Sequence, residues 1–281
     1  MKIKIENLSF SYTLLSDAKQ TALDNVSLEI GDNELIGIMG HSGSGKTTLI
    51  QHFTGLLKPT SGKVLVNGKD IWEDKAYSNE IRRKIGIVFQ FPESQLFEET
   101  VYADIAFGPL NLNLAKDEID ARVRHALEIV GLDFDQYSGR NPHHLSEGEK
   151  RRVALAGVFA MQPEVLVLDE PTAGLDPAGI KMVNQIVKSL QALGKSVIIV
   201  SHNLAELIKV VDRIVLLSRG RVMFDGHKND LIFGQHVLAQ SKIDRPRVLR
   251  LLDALKRSIE QSGEKEWEHE EFEALFERLT T

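Results

Sequence analysis

The chain lacks two features that often reveal where a protein works. It contains no cysteine among its 281 residues, so disulfide bonds and thiol chemistry are excluded, which is compatible with a reducing cytosol. It also lacks long apolar runs, because stretches such as residues 197–200 are far shorter than the roughly 20 residues of a membrane span. Any membrane association is therefore expected to come through a partner.

An excess of positive charge is also missing. The formal net charge is −6, which argues against nucleic acid as the main partner. Residues 1–6 alternate polar and apolar side chains and do not form the uninterrupted apolar stretch of a signal peptide. With 42% hydrophobic and 26% charged residues, the composition predicts an ordinary globular protein with one large domain, or one domain with an appendage.

What the sequence does contain is a complete phosphate-binding pattern, G-x-x-x-x-G-K-S/T. An apolar run at 35–39 precedes it, and Thr48 continues it into a predicted helix. A strand that turns sharply into a helix leaves backbone N–H groups pointing to one place, where the helix dipole also favours an anion. Lys46 is then expected to bind the β- and γ-phosphates of a nucleotide, and Thr47 to hold Mg²⁺. The pattern consists of Gly40, His41, Ser42, Gly43, Ser44, Gly45, Lys46 and Thr47.

Strands and helices alternate around this loop, which predicts an α/β fold with a mostly parallel core sheet. Strand patterns at 2–12 and 26–30, joined by a polar loop, predict a small N-terminal antiparallel sheet. Residues 93–160 are predicted to form a helical subdomain, and residues 1–235 one domain. Residues 236–281 carry two amphipathic helical patterns and are predicted to form a C-terminal helical extension.

Polar residues follow several predicted strands. Because ligands bind at the carboxyl ends of parallel strands, these residues are expected to converge. Asp169 suits a Mg²⁺ ligand, and Glu170 beside it suits the group that orients and deprotonates water. Gln90 is expected to contact Mg²⁺ or the attacking water, or else to be an ordinary surface residue. His202 is expected to bind the γ-phosphate and to sense its loss.

Three further positions leave alternatives open or predict helix starts. Ser146, with Glu149 three residues later, forms a capping-box pattern, so a purely structural role is a serious alternative for this stretch. Asp117 is expected to cap the helix that follows it. Tyr12 is either a half-buried strand aromatic or a platform on which a nucleotide base stacks.

In order and spacing, these motifs resemble the ATPase subunit of ATP-binding cassette (ABC) transporters. The most discriminating match is the signature motif, because other classes of phosphate-loop protein lack it. The matched positions are Tyr12 (adenine-stacking aromatic), 40–47 (Walker A), Gln90 (Q-loop), 145–149 (signature), 165–170 (Walker B), Asp176 (D-loop) and His202 (switch histidine).

The resemblance implies an ABC-type ATPase that binds ATP and Mg²⁺, with Thr47, Gln90 and Asp169 at the metal. In this family two ATPases sandwich two ATP molecules, and each signature motif contacts the γ-phosphate bound to the other subunit. ATP closes the dimer and hydrolysis opens it, and membrane partners convert this motion into transport.

The signature motif departs from the usual Leu-Ser-Gly-Gly-Gln, since it reads Leu145, Ser146, Glu147, Gly148 and Glu149. The hydroxyl of Ser146 and the backbone of Gly148 are retained. Two carboxylates close to an anion are unfavourable, so a working but weaker site is expected.

Residues 89–97, Val101 and residues 104–109 also resemble the ATPases of energy-coupling factor (ECF) transporters, which drive uptake of vitamins and transition-metal ions. The C-terminal extension fits, because in that group it helps to join the two ATPases. The resemblance implies a second ATPase subunit, either identical or more often a different chain. It also implies a transmembrane coupling protein that meets the ATPase near the Q-loop, a substrate-binding membrane protein, and a peripheral location at the cytoplasmic face of the cell membrane.

The motifs leave two alternative functions. The ATPase of a different ABC importer would differ only in its partner. A soluble ABC-type ATP switch acting on ribosomes or DNA usually carries two cassettes in one chain or a long coiled-coil insertion, and neither is present in this sequence. A GTPase is disfavoured because the sequence contains no Asn-Lys-x-Asp guanine-reading motif.

Overall fold

The computed structural model describes residues 1–13 and 19–233, together with Leu238 and Ala254. The strands are β1 (Ile3–Thr13), β2 (Lys19–Ile30), β3 (Leu35–Met39), β4 (Ser61–Val66), β5 (Lys69–Asp70), β6 (Ile85–Val88), β7 (Val165–Asp169), β8 (Ser196–Ser201), β9 (Arg213–Ser218) and β10 (Arg221–His227). The helices are α1 (Lys46–Phe53), α2 (Lys75–Lys84), α3 (Val101–Asn111), α4 (Lys116–Ile129), α5 (Phe134–Tyr137), α6 (Glu147–Ala160), α7 (Pro177–Ala192), α8 (Leu204–Leu207) and α9 (Lys228–Phe233). Apart from Leu238 and Ala254, the predicted extension over 236–281 lies outside the described residues.

The central sheet is mostly parallel, which confirms the prediction. Its strand order is β10-β9-β3-β8-β7-β6, with β10 antiparallel to β9 and the other neighbours parallel. Every residue of β7 and β8 is buried, as expected for apolar runs that are covered on both faces. Leu168 pairs with Ile199, and Met39 with Ser201, so the carboxyl ends of these strands lie along one edge.

The N-terminal sheet is antiparallel, also as predicted, with the order β2-β1-β4-β5. Ile3 pairs with Ile30 on one side and with Val66 on the other. The loop predicted between the first two strands is too long, because β2 already begins at Lys19. The first residues of β2 are polar and exposed, so the sequence shows no alternation of polar and apolar side chains there. They form a strand because they pair with the end of β1.

The central sheet packs on both of its faces. Ile36 and Ile38 belong to an apolar core shared with the N-terminal sheet and with Phe53 of α1. Leu35 and Met39, which alternate with them along β3, belong to a second core shared with α6, α7 and α8. The loop between β3 and α1 is therefore held by packing at both of its ends.

A helical region runs from a 3-10 turn at Pro92–Gln95 to the end of α6. The predicted capping box at Ser146 is confirmed. The cap predicted at Asp117 is wrong, because Ala115 precedes α4 and provides no side-chain cap. Asp117 lies in the first turn of the helix, where its negative charge interacts favourably with the helix dipole. Within the described residues, the helices fall short of the length and apolarity needed to cross a bilayer.

Candidate functional site

The phosphate loop joins β3 to α1 and depends on its glycines. Gly45, immediately before α1, has φ +105°, and a side-chain carbon there would collide with the carbonyl oxygen of Ala22. A side chain at Gly40 would collide with the Ser44 hydroxyl. Gly220 donates a backbone hydrogen bond of 2.9 Å to the Ser44 carbonyl, which fastens the loop to the β9–β10 turn. The loop is therefore rigidly seated, with the N-terminus of α1 facing into it.

The Lys46 ammonium group lies inside this loop. Its Nζ donates hydrogen bonds to the carbonyl oxygens of Gly40 (2.7 Å) and His41 (3.1 Å). Burial lowers the pKa of Lys46, and the nearby charges of Glu170 and Asp169 oppose that shift. The loop, the cation and the two predicted acidic residues thus share one location.

Asp169 ends β7 beside the phosphate loop. The Thr47 hydroxyl donates to its Oδ2 over 3.4 Å, and the carboxylate is buried. Burial raises the pKa of Asp169, and the charge of Glu170 raises it further, so a cation would stabilise this carboxylate. A hydroxyl and a carboxylate oxygen are ligands that Mg²⁺ prefers, with phosphate oxygens completing the shell. In the described part of the chain no cluster of three acidic, histidine or cysteine residues suggests another metal site.

Glu170 and His202, separated in sequence, are in direct contact. Glu170 Oε1 accepts hydrogen bonds from the His202 backbone N–H (3.0 Å) and lies 2.7 Å from His202 Nδ1. Its Oε2 accepts from the Ser201 hydroxyl at 3.2 Å. The Glu170 side chain is 13% exposed, whereas the imidazole is 68% exposed and faces outward. Pairing of β7 with β8 brings these groups together, because Asp169 lies opposite Val200.

Tyr12 lies beside the helix that begins at the phosphate loop. Its hydroxyl is 3.2 Å from the hydroxyl of Thr48, and its ring packs edge-on against Phe10. The side chain is 39% exposed. It is thus a half-buried strand aromatic that also presents a ring near the phosphate loop.

Gln90 and Asp176 occupy turns that leave the same edge of the sheet. β6 ends at Val88, so Gln90 is exposed in the turn that follows and is not the last residue of the strand. Val88 pairs with Leu168, which places this turn next to the one after β7. Asp176 caps α7 by accepting a 2.8 Å hydrogen bond from the Gly179 N–H.

The signature stretch opens α6. Leu145 is buried, and Gly148 is exposed with open space where a side chain would be. Both the hydroxyl and the N–H of Ser146 donate to Glu149 Oε2, over 2.7 and 2.8 Å. The other carboxylate oxygen accepts a 2.7 Å bond from the Tyr137 hydroxyl, and these donors lower the pKa of Glu149 to about 2.

Sequence reasoning missed Arg151. This buried guanidinium donates to the carbonyl oxygens of Pro171 (2.5 Å), Ala173 (3.0 Å) and Glu170 (3.3 Å). It therefore ties α6 to the turn that carries Glu170. In the sequence it stands in a run of basic residues before an apolar stretch, and no local signal separates it from its surface neighbours.

Comparisons with known proteins agree with this geometry. The ABC transporter family model matches residues 23–173. The energy-coupling factor transporter ATP-binding protein EcfA2 of Clostridium tetani is 46% identical over 91% of this chain and 89% of its own length. EcfA of Methanocaldococcus jannaschii is 40% identical over 84% of each chain.

Two solved structures superpose well. The first is cbiO1 from Clostridium perfringens, described as part of the ABC transporter complex cbiONQ. It has a TM-score of 0.75 and 37% identity, over 89% of this chain and 98% of that one. The second is a dimeric post-hydrolysis ATP-binding cassette bound to ADP and Pi. Its TM-score is 0.71 at 30% identity, over 80% of this chain and 98% of that one.

Proposed function

Because this chain belongs to the ABC transporter ATPase family, with ECF transporter ATP-binding proteins as relatives over most of its length, we propose that it binds and hydrolyses ATP to energise an ECF-type importer. One observation carries the chemistry: Lys46, Asp169 and Glu170 lie together at the edge where the phosphate loop opens. A phosphate cradle, a metal ligand and a carboxylate for water are the parts that nucleotide hydrolysis needs.

Each of these residues has a proposed role. Lys46 and the N–H groups at the start of α1 bind the phosphates. Thr47 and Asp169 hold Mg²⁺, with Gln90 as a further contact to the metal or to the attacking water. When bound, Mg²⁺ neutralises charge on the phosphate oxygens. Tyr12 stacks on the adenine ring.

Glu170 is proposed to act on water. It orients a water molecule against the γ-phosphorus and accepts its proton as the new O–P bond forms and the bond from the γ-phosphorus to the bridging oxygen breaks, releasing ADP and phosphate. His202 contacts Glu170 and exposes the rest of its imidazole, so it is placed to bind the γ-phosphate while orienting the carboxylate.

The second ATPase subunit is proposed to close over this nucleotide. Within the described residues, the hydrogen bonds of Ser146 are made inside its own helix turn and not to the phosphate loop of the same chain. We infer that Ser146 binds the γ-phosphate held by the other chain, and the dimeric cassette that superposes on this chain supports the pairing of two such chains. The second ATPase is an identical copy or, as we favour, a different chain.

An exposed apolar groove supports a membrane partner. Phe97 and Phe107 are 59% and 46% exposed and stack edge-to-face at 5.0 Å. They line the groove together with Gly157 and Met161 of the α6 region, close to the turn after β6. Exposed apolar surface of this kind marks interaction sites. We infer that the transmembrane coupling protein docks here. We further propose that the chain lies peripherally at the cytoplasmic face of the membrane, in a complex that also contains a substrate-binding membrane protein.

Affinity purification of the tagged full-length chain from membranes tests this assignment. We expect transmembrane subunits to copurify, and Phe107→Ala to lose them while ATP binding stays intact. The matched control is Leu193→Ala, which removes an exposed apolar side chain on a different surface. Unchanged copurification with Phe107→Ala would count against the groove. Copurification of the membrane subunits of a different ABC importer would favour the first alternative function. Copurification of no membrane protein would favour a soluble ABC-type ATP switch.

A further inference from the structure

The first turn of α6 contains a closed set of hydrogen bonds. Ser146 donates its hydroxyl proton to Glu149 Oε2 at 2.7 Å and its backbone N–H to the same oxygen at 2.8 Å. In return, the Glu149 N–H donates to the Ser146 hydroxyl oxygen at 3.4 Å. Both polar hydrogens of Ser146 are thus committed to one carboxylate of the same chain.

Tyr137 fixes the other oxygen of that carboxylate. Its hydroxyl donates to Glu149 Oε1 at 2.7 Å. The ring packs against the helical core, and the Arg140 guanidinium lies over it, 4.7 Å from the centroid. Since three donors hold the Glu149 carboxylate and its pKa is lowered to about 2, it stays ionised at neutral pH.

A γ-phosphate needs the donors that Glu149 already occupies. A phosphate oxygen accepts hydrogen bonds, as does an ionised carboxylate, and a serine hydroxyl has a single proton to donate. Glutamine in place of Glu149 would behave differently. A carbonyl oxygen in the place of Oε2 would still accept from the Ser146 N–H. A neutral amide oxygen is a weaker acceptor than a carboxylate, so the hydroxyl proton of Ser146 would be released to a phosphate oxygen more readily.

Glu147 provides an internal comparison. It carries the same charge in the same helical turn, but its carboxylate pairs with Lys150 at 2.8 Å. Its charge is therefore neutralised locally, and among the described residues its contact is with Lys150 and not with Ser146. The competition for the serine proton is specific to Glu149.

We propose that Glu149 is an internal competitor of the γ-phosphate for Ser146, and that Tyr137 is the positioning residue that keeps it in place. Ser146 of this chain completes the ATP site of the second ATPase subunit. That site should therefore need a higher nucleotide concentration to close than it would if residue 149 were glutamine. This inference rests on the proposed function, because it requires two ATPases that share their nucleotides.

The test uses the full-length chain in the complex that copurifies with it, and the non-hydrolysable analogue AMP-PNP as the probe. Equilibrium binding gives the half-saturating concentration at each nucleotide site. With Glu149→Gln we expect this concentration to fall about tenfold at the site that Ser146 completes, the scale of one hydrogen bond to a charged group. The control Glu147→Gln removes an equal charge from the same turn and should change the value less than about twofold.

Tyr137→Phe separates positioning from structure. It keeps the ring but releases Glu149 Oε1, so the carboxylate holds Ser146 for less of the time and the half-saturating concentration should fall by a smaller factor. When Glu149 is already glutamine, Tyr137→Phe should not change the half-saturating concentration further. If Tyr137 had only a structural role, its substitution would have the same effect in both backgrounds. This variant also serves if Glu149→Gln folds poorly.

The possible failures are distinguishable. A half-saturating concentration that is unchanged or raised in folded Glu149→Gln overturns the inference, and so does an equal fall in Glu147→Gln, since that would be a general charge effect. If the wild-type complex does not bind AMP-PNP, or binds it equally well with Lys46→Ala, the proposed function itself fails.

Discussion

Glu170 has a backbone conformation that a non-glycine residue seldom adopts, with φ +51°. Such a conformation costs energy and persists only where the surroundings impose it, often at functional sites. Here the Glu170 N–H donates to the Val200 carbonyl at 2.8 Å, and the side chain is held by Ser201 and His202. The carboxylate is therefore pre-positioned at the edge that the phosphate loop also reaches.

Replacing Glu170 with glutamine should separate ATP binding from hydrolysis. The amide keeps the size of the side chain but accepts no proton from water, so we expect phosphate release to fall at least about a hundredfold. ATP binding should be retained and closed dimers should accumulate. Phosphate release and bound ATP are measured in parallel, with the exposed Glu128→Gln as the control. Wild-type turnover by Glu170→Gln would remove this residue from the catalytic role.

At the scale of secondary-structure elements, two side chains fasten α6. Glu149 closes its first turn, and Arg151 connects it to the turn after β7. These contacts link the signature stretch to the site of hydrolysis through one helix. Each can be tested through stability.

The capping carboxylate predicts a specific pH dependence. The pKa of Glu149 is lowered from 4.5 to about 2 in the folded chain, so its contribution to stability is present above about pH 4.5 and is lost as the pH falls toward 2. The free energy of unfolding of the wild type should therefore exceed that of Glu149→Gln by a constant amount above pH 4.5. This difference should shrink below that pH in urea titrations. A difference that changed around neutral pH would contradict the assignment.

Removal of Arg151 should destabilise the chain. Arg151→Ala leaves three carbonyl oxygens without their buried donor, so we expect a loss of about 2–4 kcal/mol in the free energy of unfolding. Arg151→Lys should recover only part of it, because an ammonium group lacks the planar fork that reaches all three carbonyls. The control is Arg152→Ala, whose guanidinium donates to the Gly131 carbonyl at an exposed position and should cost less than about 1 kcal/mol. Equal losses in urea denaturation would disprove the proposed link.

At the scale of the whole molecule, a mostly parallel sheet, an antiparallel sheet and a helical region surround one phosphate loop. Lys46 contacts the phosphate loop, Asp169 contacts Thr47, and Glu170 contacts His202. The C-terminal extension predicted over 236–281 carries amphipathic patterns, which predict docking against another surface. The resemblance to ECF transporter ATPases implies that this surface belongs to a second ATPase.

Truncation tests that role. Because Leu238 is buried in the core that also contains α7 and α8, the cut is best placed after Gln240. We expect the shortened chain to bind ATP normally and to dimerise more weakly, as measured by nucleotide binding and by sedimentation in the presence of ATP. A dimer as stable as that of the full-length chain would leave the extension without an assigned role.

Several elements could be predicted from the residues because their signals are local. β7 and β8 are rich in consecutive apolar residues. The loop before α1 has the glycine and lysine spacing that is typical of a phosphate-binding loop. Local sequence patterns failed to predict the starts of two elements. The polar start of β2 is a strand because β1 pairs with it, and α4 begins at Lys116 without the cap expected at Asp117.

The order of residues along the chain was sufficient to establish the phosphate loop, the capping box and the α/β architecture, since each depends on side chains within a few positions of one another. It could not reveal that Glu170 contacts His202 or that the buried Arg151 donates hydrogen bonds to the turn after β7. Nor could it reveal that Tyr137 donates a hydrogen bond to Glu149. These contacts join separate elements, so they follow from strand order, register and helix packing, which local periodicity does not encode.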